Sequence, residues 1–263
     1  MPVMARTRLL VLGLAVLCLS LAGSVAAYAA FVAQTTNSGN TFTAGDWSSW
    51  IAFGGTGTAA ARTSSGNLTV SYPSATGAND GLLLVEVNAA NQNITTPSGW
   101  GLLADQATDS PSPMRFTVWG KIAGNESSVD LDVHTNSSGA TAWVVRYYAP
   151  NGYPPGLRLA TATVRQGTAG ATASLTPAPD VTTNADNATA LSLVAARDAN
   201  SLALSTPHTF FLRDTAQGPL GAGPALGVAD ALVRTSGTTP ASPTWTQSGT
   251  PAQWAWMTFA VAQ

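Results

Sequence analysis

The spacing of apolar residues constrains the fold of this chain more than any other feature. Apolar residues alternate with polar ones in short runs, and glycine, proline, asparagine and serine interrupt the runs about every ten positions. Successive side chains of a β-strand point to opposite faces, so a half-buried strand alternates in this way, and a strand buried on both faces is apolar throughout. We therefore predict an all-β fold, a β-sandwich or jelly roll. The strand-like runs are 67–72, 82–87, 114–119, 129–134, 142–148, 190–195, 227–232 and 256–261.

An internal repeat divides this pattern into two halves. Residues 95–102 align with residues 205–212 at an offset of 110, which places Pro97 and Pro207 at the same position. The neighbouring strands recur in the same order, and the strands around Trp143 and Trp256, which match at an offset of 113, end the two halves. Such self-similarity indicates a duplicated unit. We predict an extended N-terminal segment at 30–63 and one sandwich with related halves at 64–150 and 151–263; two separate sandwiches are the alternative.

The N-terminus has the order of a secretory signal peptide. Arg6 and Arg8 precede an apolar run from Leu9 to Leu21, and small residues follow up to Ala30. This arrangement predicts a signal helix at residues 1–29, cleaved after Ala29, and a secreted or cell-surface protein. A retained N-terminal anchor is the alternative, and an uncleaved leader is the only membrane contact that we expect. Cleavage would remove Cys18, the only cysteine, so the mature fold would have no disulfide.

The chain is poor in charge, and this excludes several functions. Charged residues make up 9% of the sequence, and Lys121 is the only lysine. A nucleic-acid-binding surface needs many basic side chains, so we expect no nucleic-acid partner. Metal-binding, nucleotide-binding and nucleophile-elbow motifs are missing from the sequence. We therefore predict a protein that is not an enzyme and uses no cofactor.

The residues that follow the leader carry a first resemblance. Residues 30–45 are led by Phe31 and contain Asn40-Thr41-Phe42-Thr43-Ala44-Gly45. This segment resembles the junction of proteins with SipW-type signal peptides, which include camelysin and the TasA-like fibre proteins of bacterial biofilms. The resemblance implies export by a dedicated signal peptidase and a surface or matrix location. A plain Thr/Asn/Gly-rich linker is the alternative interpretation.

A second resemblance covers residues 64–263. The segments 79–85, 97–100, 119–123 and 145–148 resemble a bacterial β-sandwich domain with the pattern GD-L-L, P-x-G-W, K-x-A and Y-x-G, which recurs in secreted actinobacterial proteins and in some phage surface proteins. The resemblance implies a surface or structural module. This chain departs from the pattern at Asp80-Gly81, where the order of the two residues is reversed, and at Ala149, where the pattern has glycine.

Three residues of one predicted strand form the best local candidate for a metal site. Asp130, Asp132 and His134 are spaced two apart, so their side chains would share one face of the strand. Carboxylates and imidazole together suit Zn²⁺ or a similar ion. The favoured interpretation is simpler: Val129, Leu131 and Val133 form the buried face, and the three polar residues face water.

Tryptophans are the second set of candidates. Exposed indole faces can stack on sugar rings, and Trp254 and Trp256 share one face of a predicted strand, which suggests a polysaccharide-binding platform. Trp47, Trp50 and Trp245 are further candidates for this role. Trp100, Trp119 and Trp143 are expected to fill the core because apolar residues flank them, and packing is the favoured role for all eight tryptophans.

These observations favour a secreted, non-enzymatic structural protein of the cell surface or extracellular matrix. We expect a homo-oligomer or filament, in which the segment from Phe31 to Phe42 adds a strand to the sheet edge of a neighbouring copy. A carbohydrate-binding module that binds cell-wall or extracellular polysaccharide is the alternative. A hydrolase of an unrecognised family is the second alternative.

Overall fold

The computed structural model describes residues 36–37, 40–41, 51–63, 65–108, 113–134, 139–149, 158–159, 165–177, 181–198, 201–205, 209–216 and 224–262. These residues form β-strands joined by turns, with antiparallel pairing throughout, as the alternating pattern predicts, and the arrangement is consistent with a β-sandwich. The strands are β1 Thr36–Asn37, β2 Asn40–Thr41, β3 Ala52–Thr56, β4 Ala60–Arg62, β5 Gly66–Ser71, β6 Gly81–Asn88, β7 Gly101–Thr108, β8 Met114–Ile122, β9 Ser128–His134, β10 Ala140–Tyr148, β11 Arg158–Leu159, β12 Arg165–Ala169, β13 Ser174–Leu175, β14 Ala188–Ala196, β15 Leu202–Leu204, β16 Phe211–Ala216, β17 Ala225–Val233, β18 Trp245–Gln247 and β19 Trp254–Ala262.

Two six-stranded sheets dominate the described strands, and they share one strand order. The first sheet has the order β3-β10-β6-β8-β7, with β4 also paired to β10. The second has the order β11-β19-β14-β17-β16, with β12 also paired to β19. Each strand of the first sheet therefore has a counterpart in the second, and the counterparts follow the same order along the chain.

The pairing registers match residue by residue. Ala104 pairs with Val118 in the first sheet, and Asp214 pairs with Val228 in the second, which is again an offset of 110. A β-bulge follows Leu102 in β7 and Leu212 in β16. A bulge adds one unpaired residue to a strand, so finding it at the same place in both sheets is a detailed structural match.

The inner faces of the two sheets share one apolar core. The side chains of this core come from both sheets and are almost completely buried. Non-directional apolar burial is the main stabilising term of such a layer. The first sheet contributes mainly Leu83, Val85, Val87, Phe116, Val118, Trp143, Val145 and Tyr147, and the second Leu191, Leu193, Leu226, Val228, Met257, Phe259 and Val261.

A smaller sheet covers the outer face of each large sheet. The β5–β9 pair packs Val70 and Leu131 against the first sheet, where Trp119 is completely buried. The three-stranded sheet β13-β18-β15 packs against the second sheet, and its central strand carries the fully buried Trp245. Both large sheets are therefore buried on both faces, which explains why β6, β14 and β19 are buried along their whole length.

Two details of the predicted organisation are wrong. The first half was expected to start at residue 64, but β3 and β4 lie upstream of that position and pair with β10 of the first sheet. The strand-end tryptophans were expected to match each other. Trp143 faces the central core and Trp256 the outer core, so the structural counterpart of Trp143 is Met257, one residue further along. A shift of one residue reverses the face of every side chain in a strand.

The N-terminal part of the chain forms a separate unit, residues 1–47. Its described residues are β1 and β2, which pair in antiparallel orientation, Thr36 with Thr41 and Asn37 with Asn40. The predicted signal helix at residues 1–29 lies outside the described residues. Among the residues that are described, no helix has the length and apolar character needed to span a membrane.

Candidate functional site

The segments of the second resemblance meet at one end of the first sheet. Gly81 of β6 pairs with both Ile122 of β8 and Tyr147 of β10, so the segments 79–85, 119–123 and 145–148 lie side by side there. Asp80 accepts a hydrogen bond from Arg146 Nε at 2.6 Å and another from the Gly77 amide at 2.6 Å. The aspartate of the reversed Asp-Gly motif therefore holds the end of β6 to β10.

Trp100 and Lys121 form a second contact at this end of the sheet. The Trp100 ring packs edge-on against Tyr72, with 6.2 Å between ring centroids, and Lys121 Nζ lies 6.0 Å from the Trp100 centroid. Lys121 also forms an ion pair with Glu126. Burial raises the pKa of Tyr72 to about 12, and the charge of Glu126 acts in the same direction. The only lysine of the chain thus takes part in local packing.

A buried polar cluster joins the two large sheets beside this end. The Tyr147 hydroxyl on β10 donates a hydrogen bond to Asp230 Oδ2 on β17 at 3.1 Å. Arg213 on β16 binds the other carboxylate oxygen through Nε at 2.8 Å and through a terminal nitrogen at 2.7 Å. Tyr147 and Asp230 are almost completely buried. We call these three residues the seam cluster.

Aromatic rings cover the arginine of the seam cluster. The guanidinium carbon of Arg213 lies 5.0 Å from the centroid of Phe53 and 5.4 Å from that of Phe211. Both distances lie within the range of cation–π attraction. Phe53 also meets Tyr147 edge-on, with ring centroids 6.0 Å apart. Phe211 is 64% exposed, so the cluster extends from the apolar core to the surface.

The electrostatics of the seam cluster follow from its burial. Loss of water raises the pKa of Asp230, and the charge and hydrogen bonds of Arg213, together with the hydrogen bond from Tyr147, oppose that rise. Burial also raises the pKa of Tyr147 well above its usual value, and the nearby Asp230 raises it further. Tyr147 is therefore a neutral hydrogen-bond donor across the physiological pH range.

The geometry of the seam cluster suits cross-linking of the sheets better than catalysis. Arg213 occupies one oxygen of Asp230, and Tyr147 occupies the other. A general base needs a free oxygen within reach of a substrate proton. Asp230 instead binds donors from both large sheets, so it ties the two sheets together.

Further hydrogen bonds cross the same boundary. Thr141 Oγ1 on β10 donates to the Pro224 carbonyl at 2.8 Å, and Thr189 Oγ1 on β14 donates to the Ile51 carbonyl at 3.3 Å. Gln166 Nε2 on β12 donates to the Asp105 carbonyl on β7 at 2.9 Å. Side-chain polar groups therefore connect the two large sheets at several separate positions.

The structure places the predicted metal-site residues on the outside of β9. Asp130 and Asp132 are exposed, whereas Val129 and Leu131 are buried. Asp130 Oδ1 accepts a hydrogen bond from Thr69 Oγ1 at 2.6 Å. The side chain of His134 lies outside the described residues. Among the residues that are described, no three potential ligands come together as a metal-binding group.

The tryptophans proposed as a sugar-binding platform are buried. Trp254 is completely buried and Trp256 is 8% exposed. Both pack into the outer core of the second sheet. A stacking platform needs an open indole face, so the prediction of a platform at Trp254 and Trp256 is wrong in its premise. Trp245 is also completely buried, and Trp47 and Trp50 lie outside the described residues.

The predicted core tryptophans do fill the core. Trp119 and Trp143 are at most 1% exposed, and Trp100 is 7% exposed. The predicted assembly residues Phe31 and Phe42 lie outside the described residues, on either side of the β1–β2 pair.

One open cleft lies at the far end of the second sheet. It has a volume of about 260 Å³, and its lining includes Arg197, Asp198 and Gln253. Arg197 and Asp198 are 3.9 Å apart at their nearest charged atoms, so they form an ion pair beyond hydrogen-bonding distance. The cleft therefore combines one charge of each sign with an amide.

Sequence interpretation missed the seam cluster, although one signal was present. Asp230 interrupts the apolar run 227–232, at a position whose side chain faces the central core. A lone carboxylate on the buried face of a strand requires a partner. That partner could not be identified from sequence, because Tyr147 and Arg213 are distant along the chain.

No family model, curated protein or solved structure matches this chain.

Proposed function

We propose that this chain is a secreted, non-enzymatic structural protein of a cell surface or extracellular matrix, and that it assembles with other copies. The main supporting observation is the use of its buried polar groups. The seam cluster occupies both oxygens of Asp230 in joining two sheets, and Asp80 joins two strands through Arg146. In both clusters the carboxylate is used to join strands or sheets, which stabilises a scaffold. The proposal includes the jelly-roll arrangement of two related halves and the N-terminal signal helix.

Side chains bind the backbone of the edge strands, which supports assembly through a dedicated segment rather than through the edges themselves. β7 and β16 lie at the ends of the two strand orders, where an unpaired backbone would invite strand addition. Side chains bind that backbone: Gln106 Nε2 donates to the Ala107 carbonyl at 2.9 Å, and the Thr215 amide donates to Asp214 Oδ1 at 2.8 Å. Uncontrolled pairing is thereby opposed at one position of each edge strand.

The beginnings of the same two strands offer exposed apolar side chains. Leu102 at the start of β7 is 54% exposed, and Phe211 at the start of β16 is 64% exposed. In the proposal these side chains are the contact points, because each is a large apolar group open to solvent on an edge strand. In the proposed assembly, the segment from Phe31 to Phe42 of one copy contacts these positions on another. The segment contains no charged residue, so an apolar contact would leave no buried charge unpaired.

Electron microscopy and light scattering of the mature protein would test this proposal. We expect filaments or discrete oligomers from the parent, and monomers after deletion of residues 31–45. A control chain with the same residues in scrambled order distinguishes a sequence-specific contact from an effect of length. A parent that stays monomeric at high concentration would contradict assembly, and unchanged oligomers after the deletion would contradict the role of the segment.

The membrane and polysaccharide partners remain predictions. Detection of residues 1–29 on the exported protein would favour a retained anchor over a cleaved leader. Polysaccharide pull-down would test the carbohydrate-binding alternative, which lacks an open indole at Trp254 and Trp256. Metal analysis of an Asp132→Ala variant would test the metal site, because unchanged metal content rules out a role for that carboxylate.

A further inference from the structure

The apolar inner faces of the two large sheets are close to interchangeable. Leu83 and Val85 of β6 correspond to Leu191 and Leu193 of β14, and all four lie in the central core. Apolar burial is non-directional, so this pattern alone does not distinguish one pairing of sheets from another. A first sheet could bury its face on the first sheet of another copy as well as on its own second sheet.

Because the two large sheets share one strand order, the boundary between them contains two equivalent strand contacts, which we call the first place and the second place. At the first place, β10 of the first sheet lies against β17 of the second. At the second place, the counterpart strands β19 and β8 lie against each other. The seam cluster occupies the first place. The pairing registers give its counterparts at the second place. Gly120 corresponds to Asp230, Leu103 to Arg213 and Val261 to Tyr147.

The second place shows that the fold does not require a polar cluster. Val261 is buried in the central core, and Leu103 packs against the same core. A side-chain carbon at Gly120 would lie only 2.9 Å from Leu103, so the leucine already fills the space that Asp230 occupies at the first place. One place is closed by apolar contacts and the other by three polar groups that depend on each other.

We propose that the seam cluster makes each inner face selective, so that a first sheet pairs only with a second sheet of this chain or of another copy. Pairing of two first sheets would place Tyr147 against Gly120 and Leu103, and the buried hydroxyl would have no acceptor there. Pairing of two second sheets would place Asp230 and Arg213 against Val261. Arg213 keeps its bond to Asp230 in any pairing, because both residues lie in the second sheet. Only the mixed pairing gives the Tyr147 hydroxyl an acceptor and Asp230 Oδ2 a donor. Buried polar groups without partners strongly disfavour a contact.

This selectivity matters for a chain built from two similar halves. Each half buries its inner face only against a partner, and the apolar pattern offers a wrong partner in every other copy. The seam cluster disfavours pairing with the wrong sheet, and it adds no apolar contact to the correct one. The inference does not depend on secretion or on the segment from Phe31 to Phe42.

Refolding of the full mature chain would test the selectivity. The triple variant Tyr147→Val, Arg213→Leu and Asp230→Gly makes both places alike. Parent and variant would be unfolded, refolded at increasing concentration and sized by light scattering. We expect the dimer fraction of the variant to exceed that of the parent by roughly tenfold, the factor that one satisfied buried group typically contributes.

A cysteine pair distinguishes pairing of two first sheets from an exchange of halves between copies. Thr56 contacts Asp214 on the second sheet, and the counterpart of Asp214 on the first sheet is Ala104. In a dimer of two first sheets, Thr56→Cys of one copy therefore meets Ala104→Cys of the other. An exchange of halves keeps position 56 opposite position 214, so it gives no such disulfide.

Two further variants keep the test decisive. Tyr147→Phe removes only the hydroxyl that opposes pairing of two first sheets, and it serves if the triple variant does not fold. Asp80→Asn with Arg146→Met is the matched control, because it removes an ion pair within the first sheet. We expect disulfide-linked dimers from Tyr147→Phe and none above the parent level from the control. Equal dimer fractions in the parent and both seam variants, or an equal rise in the control, would overturn the proposal.

Discussion

The Tyr147 hydroxyl lies 3.1 Å from Asp230 Oδ2 and connects two sheets that are otherwise held together mainly by apolar contact. Arg213 reaches the same carboxylate from a neighbouring strand. Hydrogen bonds to charged groups contribute more to stability than neutral ones, and their loss is costly when the remaining partner is buried. Removing this contact by mutation therefore tests directly how the large sheets are held together.

Replacing Tyr147 by phenylalanine should lower the free energy of unfolding. The ring would keep its packing, but Asp230 would lose the hydrogen bond that crosses between the sheets. We expect a loss of about 1 to 3 kcal/mol, measured by denaturant unfolding. Tyr148→Phe is the matched control, because Tyr148 is partly exposed and its ring would still stack on Arg146. Equal losses in both variants would contradict the role of the cross-sheet bond.

Asp230→Asn should change how stability depends on pH. Burial raises the pKa of Asp230, so the folded protein binds this proton more tightly than the unfolded chain does. The stabilising contribution of Asp230 is complete below its unfolded pKa of about 4 and is lost as the pH rises through its folded pKa. Asparagine cannot ionise, so between pH 4 and pH 7 the parent should lose stability relative to the variant.

Unfolding free energies at pH 4, 5, 6 and 7 would check this expectation. Asp132→Asn removes a carboxylate from the exposed face of β9 and is the control for a general change in charge. A variant that becomes less stable relative to the parent as the pH rises would show that ionised Asp230 stabilises the fold, contrary to the expected sign.

Trp143→Phe should be better tolerated than Trp245→Phe. Both tryptophans are buried, but among the described residues the Trp143 indole nitrogen has no hydrogen-bond partner, whereas Trp245 Nε1 donates to Ser192 Oγ at 3.0 Å. A buried donor without a partner is destabilising, so its removal offsets part of the lost packing. We expect Trp143→Phe to cost about 1 kcal/mol less in thermal or denaturant unfolding. Equal costs would mean that packing alone sets the effect.

Gly227→Ala should destabilise the second sheet. An added side-chain carbon would lie 2.6 Å from the Trp245 ring, which packs over this position from the outer layer. Overpacking of this kind typically costs about 1 to 3 kcal/mol. Gly170→Ala is the control, since a carbon there would meet nothing within 4 Å. A stable Gly227→Ala variant, measured by thermal unfolding, would show that the layer around Trp245 can move aside.

Several expectations about the fold could be made from local patterns alone. The alternating runs gave the strands, because side-chain direction in a strand follows directly from residue parity. Parity also assigned Val129 and Leu131 to the buried face of β9 and left Asp130 and Asp132 exposed. The offset of 110 between β7 and β16 was visible because their turn residues align.

Other features escaped prediction for a physical reason. Trp254 and Trp256 were candidates for an open platform because they share one strand face, but β19 is covered by layers on both sides. The match between Trp143 and Trp256 was wrong by one residue, since tryptophan can fill either an inner or an outer core. Burial on both faces erases the alternation that would have marked the correct face.

The sequence by itself determined the all-β class, the position of most strands and the identity of the apolar side chains, because these depend on residue parity and on turn residues close along the chain. Only the tertiary structure decided which face meets which layer, and which distant residues become partners. Tyr147, Arg213 and Asp230 come together because two sheets of one strand order pack face to face. No local rule relates a tyrosine to an aspartate more than eighty residues away, so their contact exists only once both sheets have formed.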